Sequence, residues 1–213
     1  MMLSEERAAV VATCRQLLAS GLVRGTSGNV SMRDETTGAI AISPTGVPYP
    51  ELTADGVPVV DPDGRRLAGE LRPTSELALH LAVYRARPDV AAIVHTHSMF
   101  ATVYAVLGEP IPPVHYQLAR AGGTVPIAPY ARYGTDELAA GCVQALADGP
   151  ATLLAHHGVV AVGGNVAEAL AVAESIEFVA ELAWRCRLAG GERVLDAGQL
   201  AAAAEAFRGY GQR

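Results

Sequence analysis

The sequence predicts a single α/β domain, and three observations carry that prediction. Strand-like apolar runs interleave with helix-like runs that open on capping residues. The 213 residues are half hydrophobic and only 18% charged, enough to bury one core and too apolar for a disordered chain. No repeat, low-complexity tract or linker divides them.

The elements follow in order. Ser4 to Ser20 reads as an amphipathic helix with Val10, Cys14, Leu17 and Leu18 on one face, Glu5 and Glu6 in its first turn and Gly21 as its stop. Gly25-Thr26-Ser27-Gly28-Asn29 is a loop feeding a strand from Val30 to Arg33. Ala39 to Ser43 is a second strand, closed by the turn Ser43-Pro44-Thr45-Gly46, and Asp61-Pro62-Asp63-Gly64 marks a hairpin inside Val57 to Leu71. Pro73-Thr74-Ser75-Glu76 starts a helix from Leu77 to Arg87, with a hydroxyl at the N-cap, Glu76 in the first turn and Pro88 as the stop. Val90 to His97 reads as a buried strand, and Ser98 caps a helix to Leu107. Thr124 to Ala128 is a short strand, Thr135 caps a helix to Ala147, and Ala151 to Val162 is a strand pair bent around His157-Gly158. Asn165, with Glu168 three residues on, opens a long helix to about Leu188, and a last helix spans about Gln199 to Phe207.

Composition narrows the function. Sixteen basic against 22 acidic residues give a formal charge of −6 with no Arg-rich stripe, which argues against nucleic acid as a partner. All 16 basic residues are Arg. Without Lys, Schiff-base chemistry, pyridoxal phosphate attachment and P-loop phosphate binding are excluded. Cys14, Cys142 and Cys186 are widely spaced, as expected of buried thiols in a reducing cytoplasm. The opening MMLSEERAAV lacks a signal-peptide pattern, so a cytoplasmic location is expected. Two uncharged stretches, Val90 to Gly108 and Gly149 to Ala167, carry histidines and glycines that suit a membrane poorly, so no membrane partner is expected.

Histidine is concentrated where charge is absent. His95 and His97 are two apart in a strand, so both rings point to one face and can grip one ion. His156 and His157 are adjacent, and in a strand only one of them can join that ion. Three histidines with an open position are the pattern of catalytic zinc. His80 and His115 read equally well as core residues or as functional ones. Glu76, in a helix first turn, is as expected of a dipole partner as of a catalyst. Thr26, Ser27, Asn29, Thr45, Thr74 and Ser75 lie in loops and helix starts suited to a phosphate, and also to ordinary turns.

Taken together, the ordered segments Gly25 to Ser31, Ser43 to Tyr49, Pro73 to Glu76, His95-Thr96-His97 and His156-His157-Gly158 resemble the class II aldolase/adducin superfamily, on its sugar-phosphate aldolase side. The resemblance covers nearly the whole chain, so residues 1–213 are expected to form one such domain, a mostly antiparallel or mixed sheet layered with helices. It implies His95, His97 and His157 as zinc ligands, one Zn2+ per subunit, with Glu76 as fourth ligand and acid/base. It implies Gly28, Asn29, Thr45, Gly46, Thr74 and Ser75 as the phosphate-binding set. It implies a homotetramer in which Tyr116 of a neighbouring subunit handles the aldehyde oxygen and the tail residue Tyr210 closes over the site. The implied reaction cleaves a ketose 1-phosphate, such as L-fuculose 1-phosphate, to dihydroxyacetone phosphate and a lactaldehyde-like product. That agrees with the missing Lys, since the carbanion then needs a metal as its electron sink.

Departures from the family pattern are Thr74 for the usual Ser, Tyr133 for a usual Phe, and Arg120 in an Ala-rich stretch, all affecting aldehyde recognition. Within the superfamily, pentulose-phosphate 4-epimerases usually carry Asp in place of Glu76, whereas deoxy- and methylthio-pentulose-1-phosphate aldolases fit the same motifs. A non-catalytic adducin-like scaffold is the reading of another class, and retention of the histidines and Glu76 argues against it.

Overall fold

Alternation along the strands sorts the apolar side chains to two faces of one sheet. The computed structural model describes residues 2–209. In chain order it contains α1 (Ser4–Ala19), β1 (Asn29–Arg33), β2 (Ile40–Ile42), β3 (Val59–Val60), β4 (Arg66–Ala68), α2 (Leu77–Ala86), β5 (Ala92–Thr96), α3 (Met99–Leu107), β6 (Ile127–Ala128), α4 (Asp136–Leu146), β7 (Ala151–Leu154), β8 (Gly158–Gly163), α5 (Val166–Leu188) and α6 (Ala197–Arg208). The strands form one eight-stranded sheet in the order β4-β3-β2-β1-β5-β8-β7-β6. Its neighbours pair antiparallel except β6 and β7, which are parallel. The expected mixed, mostly antiparallel sheet is what forms.

Ile40, Ile42, Ile93, Val160 and Val162 face one side and pack with Leu79 and Val83 of α2 and Leu138 and Cys142 of α4. Ala41, Val94, Val159 and Ala161 face the other, against Val10 and Leu17 of α1, Tyr104 of α3 and Ile176 and Val179 of α5. The sheet is thus covered on both faces, and each fully buried aliphatic side chain contributes roughly 1.5–3 kcal/mol. Cys14 and Cys142 are core residues whose thiols burial pushes up to about 12. Among the described residues, no helix is long and apolar enough to cross a membrane.

Helix ends follow their caps, with instructive exceptions. The hydroxyl of Thr135 accepts from Leu138 N at 3.3 Å, and Asn165 Oδ1 accepts from Glu168 N at 2.9 Å. Ser98 stands at the N-cap of α3, but its side chain makes no capping bond. Glu177 of α5 does that work instead, accepting from Phe100 N and Ala101 N at 2.9 Å each. A reciprocal Asp196–Gln199 box starts α6 at Ala197, earlier than expected.

Two departures matter for the site. Glu76 is the N-cap residue of α2 rather than a member of its first turn, and its side chain caps nothing. Strand β7 ends at Leu154 and β8 begins at Gly158, so His156 and His157 lie in the hairpin turn rather than in a strand. Register then gathers the site: Asn29 pairs with His95 and Thr96 with Val159, placing the start of β1, the end of β5 and the β7–β8 turn side by side.

Candidate active site

Glu76, His95, His97 and His157 present ligand atoms that all lie within 4.8 Å of one another. The three ring centroids are 4.9 Å apart pairwise, with interplanar angles of 73°, 81° and 77°, so the imidazoles stand as a three-bladed propeller. His95 Nε2 is 3.0 Å from His97 Nε2 and 3.1 Å from Glu76 Oε2, and His157 Nε2 is 3.5 Å from Glu76 Oε1. A tetrahedral ion with bonds of about 2.0–2.1 Å separates its ligand atoms by about 3.3 Å, which these spacings bracket. His95 Nδ1 donates to Val159 O at 2.8 Å, which orients Nε2 towards the cluster. Glu76 is buried, yet its Oε1 has no hydrogen-bond partner. An orphaned carboxylate oxygen facing three convergent imidazole nitrogens is a donor set that fits a divalent cation.

Electrostatics prepare the same atoms. Burial pushes the Glu76 carboxyl up, but the charge and hydrogen bond of His95, with help from His157 and Asn29, hold it well below the usual carboxylate range. Burial and the neighbouring His95 push His97 down to about 3 and His157 to about 4, so both are neutral ligands at pH 7. Burial also opposes protonation of His95, yet the adjacent Glu76 outweighs it and pulls this histidine up.

These shifts fix the sign of a pH dependence. His80 is held down to about 3 by burial, so with His97 and His157 three histidines take up protons on unfolding that they refuse when folded. Their contribution is full above the ordinary value of 6.5 and is lost as pH falls from there towards about 3 to 4. His95 works in the opposite sense, one group against three. The metal-free protein should therefore lose Tm between about pH 7 and about pH 5, and calorimetry showing a flat or rising Tm would contradict the assignment.

A cavity of about 360 Å³ adjoins the cluster, lined by His97, His157 and Glu76. Gly28, Asn29, Thr45, Gly46, Thr74 and Ser75 line it too, so all six expected phosphate residues come together. Two loops distant in sequence are joined for this by a bridge between Pro44 and Pro73, in which Thr45 N donates to Arg72 O at 3.1 Å and Thr74 N to Ser43 O at 3.0 Å. The third loop is held by Tyr49, whose hydroxyl donates to Gly28 O at 2.8 Å. Gly28 is required by both conformation and space: its φ is +75°, and a Cβ there would lie 2.7 Å from His95 O. Among the described residues no arginine lines the cavity, so an anion placed against those six residues would meet backbone N–H groups and uncharged side chains.

Other expected residues lie elsewhere. Tyr116 is half-exposed, outside this cavity, and stacks on Phe207 at 5.8 Å. Arg120 covers the same Phe207 ring, 4.1 Å from its centroid. His115 Nδ1 accepts from Gln117 N at 3.3 Å, an ordinary turn role. Tyr210 lies outside the described residues. Tyr133 lines the cavity, joined by Tyr130, Ala131 and His156, which sequence reasoning did not place there. His156 has the left-handed φ of 55°, and its ring meets Tyr130 edge-on rather than joining the cluster. Sequence reasoning also missed the buried contact between Asn29 and Glu76, and His80 behind it.

The geometry agrees with what the chain is similar to. The model of the class II aldolase and adducin N-terminal domain family matches residues 8–184. The 5-deoxy-D-ribulose 1-phosphate aldolase of Bacillus thuringiensis serovar kurstaki is 40% identical over 213 residues, covering 100% of both chains. The L-fuculose phosphate aldolase of Escherichia coli K12 is 39% identical over 206 residues, covering 96% of this chain and 94% of that one. A solved structure of L-fuculose 1-phosphate aldolase superposes with a TM-score of 0.93 at 36% identity, covering 98% of each chain. With the sheet order, the Glu–His cluster and a match across most of its length, this chain belongs to the class II aldolase and adducin family.

Proposed function

We propose that the protein is a metal-dependent aldolase that cleaves a ketose 1-phosphate to dihydroxyacetone phosphate and a short, uncharged aldehyde. The observation that carries this reading is the convergence of Glu76 with the Nε2 atoms of His95, His97 and His157 beside a cavity whose anion donors are all neutral. The relatives support 5-deoxyribulose 1-phosphate and L-fuculose 1-phosphate equally, and both share the dihydroxyacetone phosphate half.

The four residues would hold one divalent ion, and a set of three imidazoles and a carboxylate suits zinc. Bound there, the ion supplies the electron sink for the carbanion left by C–C cleavage. Gly28, Asn29, Thr45, Gly46, Thr74 and Ser75 hold the phosphate through N–H and hydroxyl groups. Tyr130 and Tyr133 face the aldehyde half and carry no charge to hold a second phosphate. Glu76, a ligand at rest and the acid/base in turnover, passes a proton to and from the hydroxymethyl carbon of dihydroxyacetone phosphate, and Oε1, the oxygen without a hydrogen-bond partner, is the atom that carries it once released from the ion. Tyr116 would act in the site of a neighbouring subunit of a homotetramer, which suits its absence from the cavity of its own chain. Tyr210 would close over the aldehyde end, and the cytoplasm would supply the phosphorylated sugar.

A retro-aldol screen of phosphorylated ketoses, coupled to detection of dihydroxyacetone phosphate, tests the reading. Cleavage of a 5-deoxypentulose or 6-deoxyhexulose 1-phosphate is expected, abolished by prolonged chelation and restored by zinc. Borohydride added with substrate should leave the protein mass unchanged, because no lysine amine is present to form an iminium in the site. Full activity after exhaustive chelation would overturn the mechanism, C4 epimerisation without dihydroxyacetone phosphate would favour the epimerase, and a chain without stoichiometric metal would favour the scaffold.

A further inference from the structure

Behind Glu76 runs a buried chain of side chains that the reaction as described does not use. Strand β1 contributes Asn29 and Ser31, two apart and on one face, and α2 contributes Glu76, His80 and Tyr84 at successive intervals of four. All five are buried, at 3%, 0%, 5%, 0% and 4% exposure respectively.

The direction of every hydrogen bond in the chain follows from its chemistry. Asn29 Nδ2 donates to Glu76 Oε2 at 2.9 Å, since a carboxylate can only accept. The amide oxygen therefore faces His80 Nε2, and an amide oxygen also only accepts, so Nε2 carries the proton. His80 is fully buried and its two ring partners are an uncharged amide and an uncharged hydroxyl, so the ring has no counter-charge to hold a second proton and Nδ1 is left bare. Ser31 Oγ, 2.7 Å from Nδ1, must then donate to it. With its only proton committed, Ser31 accepts from the Tyr84 hydroxyl at 2.7 Å. The series runs one way, from Tyr84 through Ser31, His80 and Asn29 to Glu76.

The alternative arrangement is costly. Were His80 protonated on Nδ1 instead, Asn29 would be free to flip, and its oxygen would face the carboxylate with lone pair against lone pair. Leaving buried groups of this kind unpaired forfeits their hydration without a replacement partner.

We infer that His80 is a positioning residue for Glu76: its Nε2–H tautomer locks the Asn29 amide so that its N–H always occupies Oε2, leaving Oε1 as the oxygen that carries the proton. This rests on the reading of Glu76 as the acid/base. The His80 ring hydrogen-bonds Asn29 and Ser31 only, so its side chain reaches the Glu76 carboxylate through Asn29.

The test uses the zinc-loaded protein. Nitrogen NMR of labelled histidine should show His80 neutral and protonated on Nε2 across about pH 6 to about pH 8. His80→Leu removes both hydrogen bonds at similar apolar bulk. It should lower the saturated rate of proton exchange into dihydroxyacetone phosphate by about 10–100-fold, with zinc content unchanged and KM changed far less than the rate. His80→Gln, whose amide can donate to Asn29 and accept from Ser31, should recover most of that loss. Ser31→Ala, a small change that the fold should tolerate, leaves Nδ1 without a donor and should move the rate in the same direction as His80→Leu. A proton on Nδ1, a His80→Leu variant that changes KM alone, or a His80→Gln variant as impaired as His80→Leu would overturn the inference. Failure of the aldolase reading registers separately, as a wild-type chain that cleaves no ketose 1-phosphate, whereas failure of the lock registers in the His80 ring proton whatever the substrate.

Discussion

Glu76→Gln should leave a folded protein that binds zinc and substrate yet exchanges the hydroxymethyl proton of dihydroxyacetone phosphate at least ~100-fold more slowly. The size of the effect follows from where the side chain sits. As the N-cap of α2 it makes no capping bond, so the change should cost the helix little, well under about 1 kcal/mol. Gln keeps the length, and its carbonyl oxygen can still accept from Asn29 Nδ2. What Gln cannot do is take a proton at the position of Oε1, the one carboxylate oxygen left free of hydrogen bonds. Measuring exchange without aldehyde isolates this step from the tyrosines assigned to the aldehyde end. Near wild-type exchange would remove Glu76 from proton transfer and leave a tyrosine or a water as the base.

Much of the fold was legible because its signals are local. Thr135 and Asn165 cap the helices that they were expected to cap, and alternation in β1 and β5 assigns faces without knowledge of the sheet. Strand order was not legible. The parallel pairing of β6 with β7 depends on contacts between segments some two dozen residues apart, which no local pattern encodes. Ser98 failed as a cap because Glu177, far along the chain, outcompetes a hydroxyl with a charge.

The site divides along the same line. His95 lies in β5 and His97 one residue past its end at Thr96, yet both reach one cluster, as the strand period of two led one to expect from the local sequence. The gathering of the six expected phosphate residues around one cavity needs the Pro44–Pro73 bridge and the grip of Tyr49 on Gly28, so motif resemblance could suggest it whereas spacing could not. Glu76 was legible as a helix-start residue, but its N-cap position, which frees the carboxylate to turn inward, was not. His80 carried a readable signal, four residues after Glu76 on the buried face of an amphipathic helix. That signal has meaning only once Glu76 is known to face inward and Asn29 to lie between them.

His97→Ala should lose zinc and with it nearly all retro-aldol activity, whereas His156→Ala should keep zinc. His97 Nε2 lies 3.0 Å from His95 Nε2 in the cluster, so its removal takes one of four ligands and leaves an opening that water would fill. The contrast with His156 does not rest on strand alternation, because neither His156 nor His157 is in a strand. It rests on the turn: with φ at 55°, His156 swings its ring out towards Tyr130, and the turn returns His157 to the cluster. His156 instead forms part of the cavity wall beside Tyr130 and Tyr133, so His156→Ala should alter KM for the sugar phosphate more than it alters metal content. Metal analysis after gel filtration, run beside steady-state kinetics, separates the two. Equal zinc loss in both variants would mean that His156 reaches the ion, and the propeller of His95, His97 and His157 would then be the wrong trio.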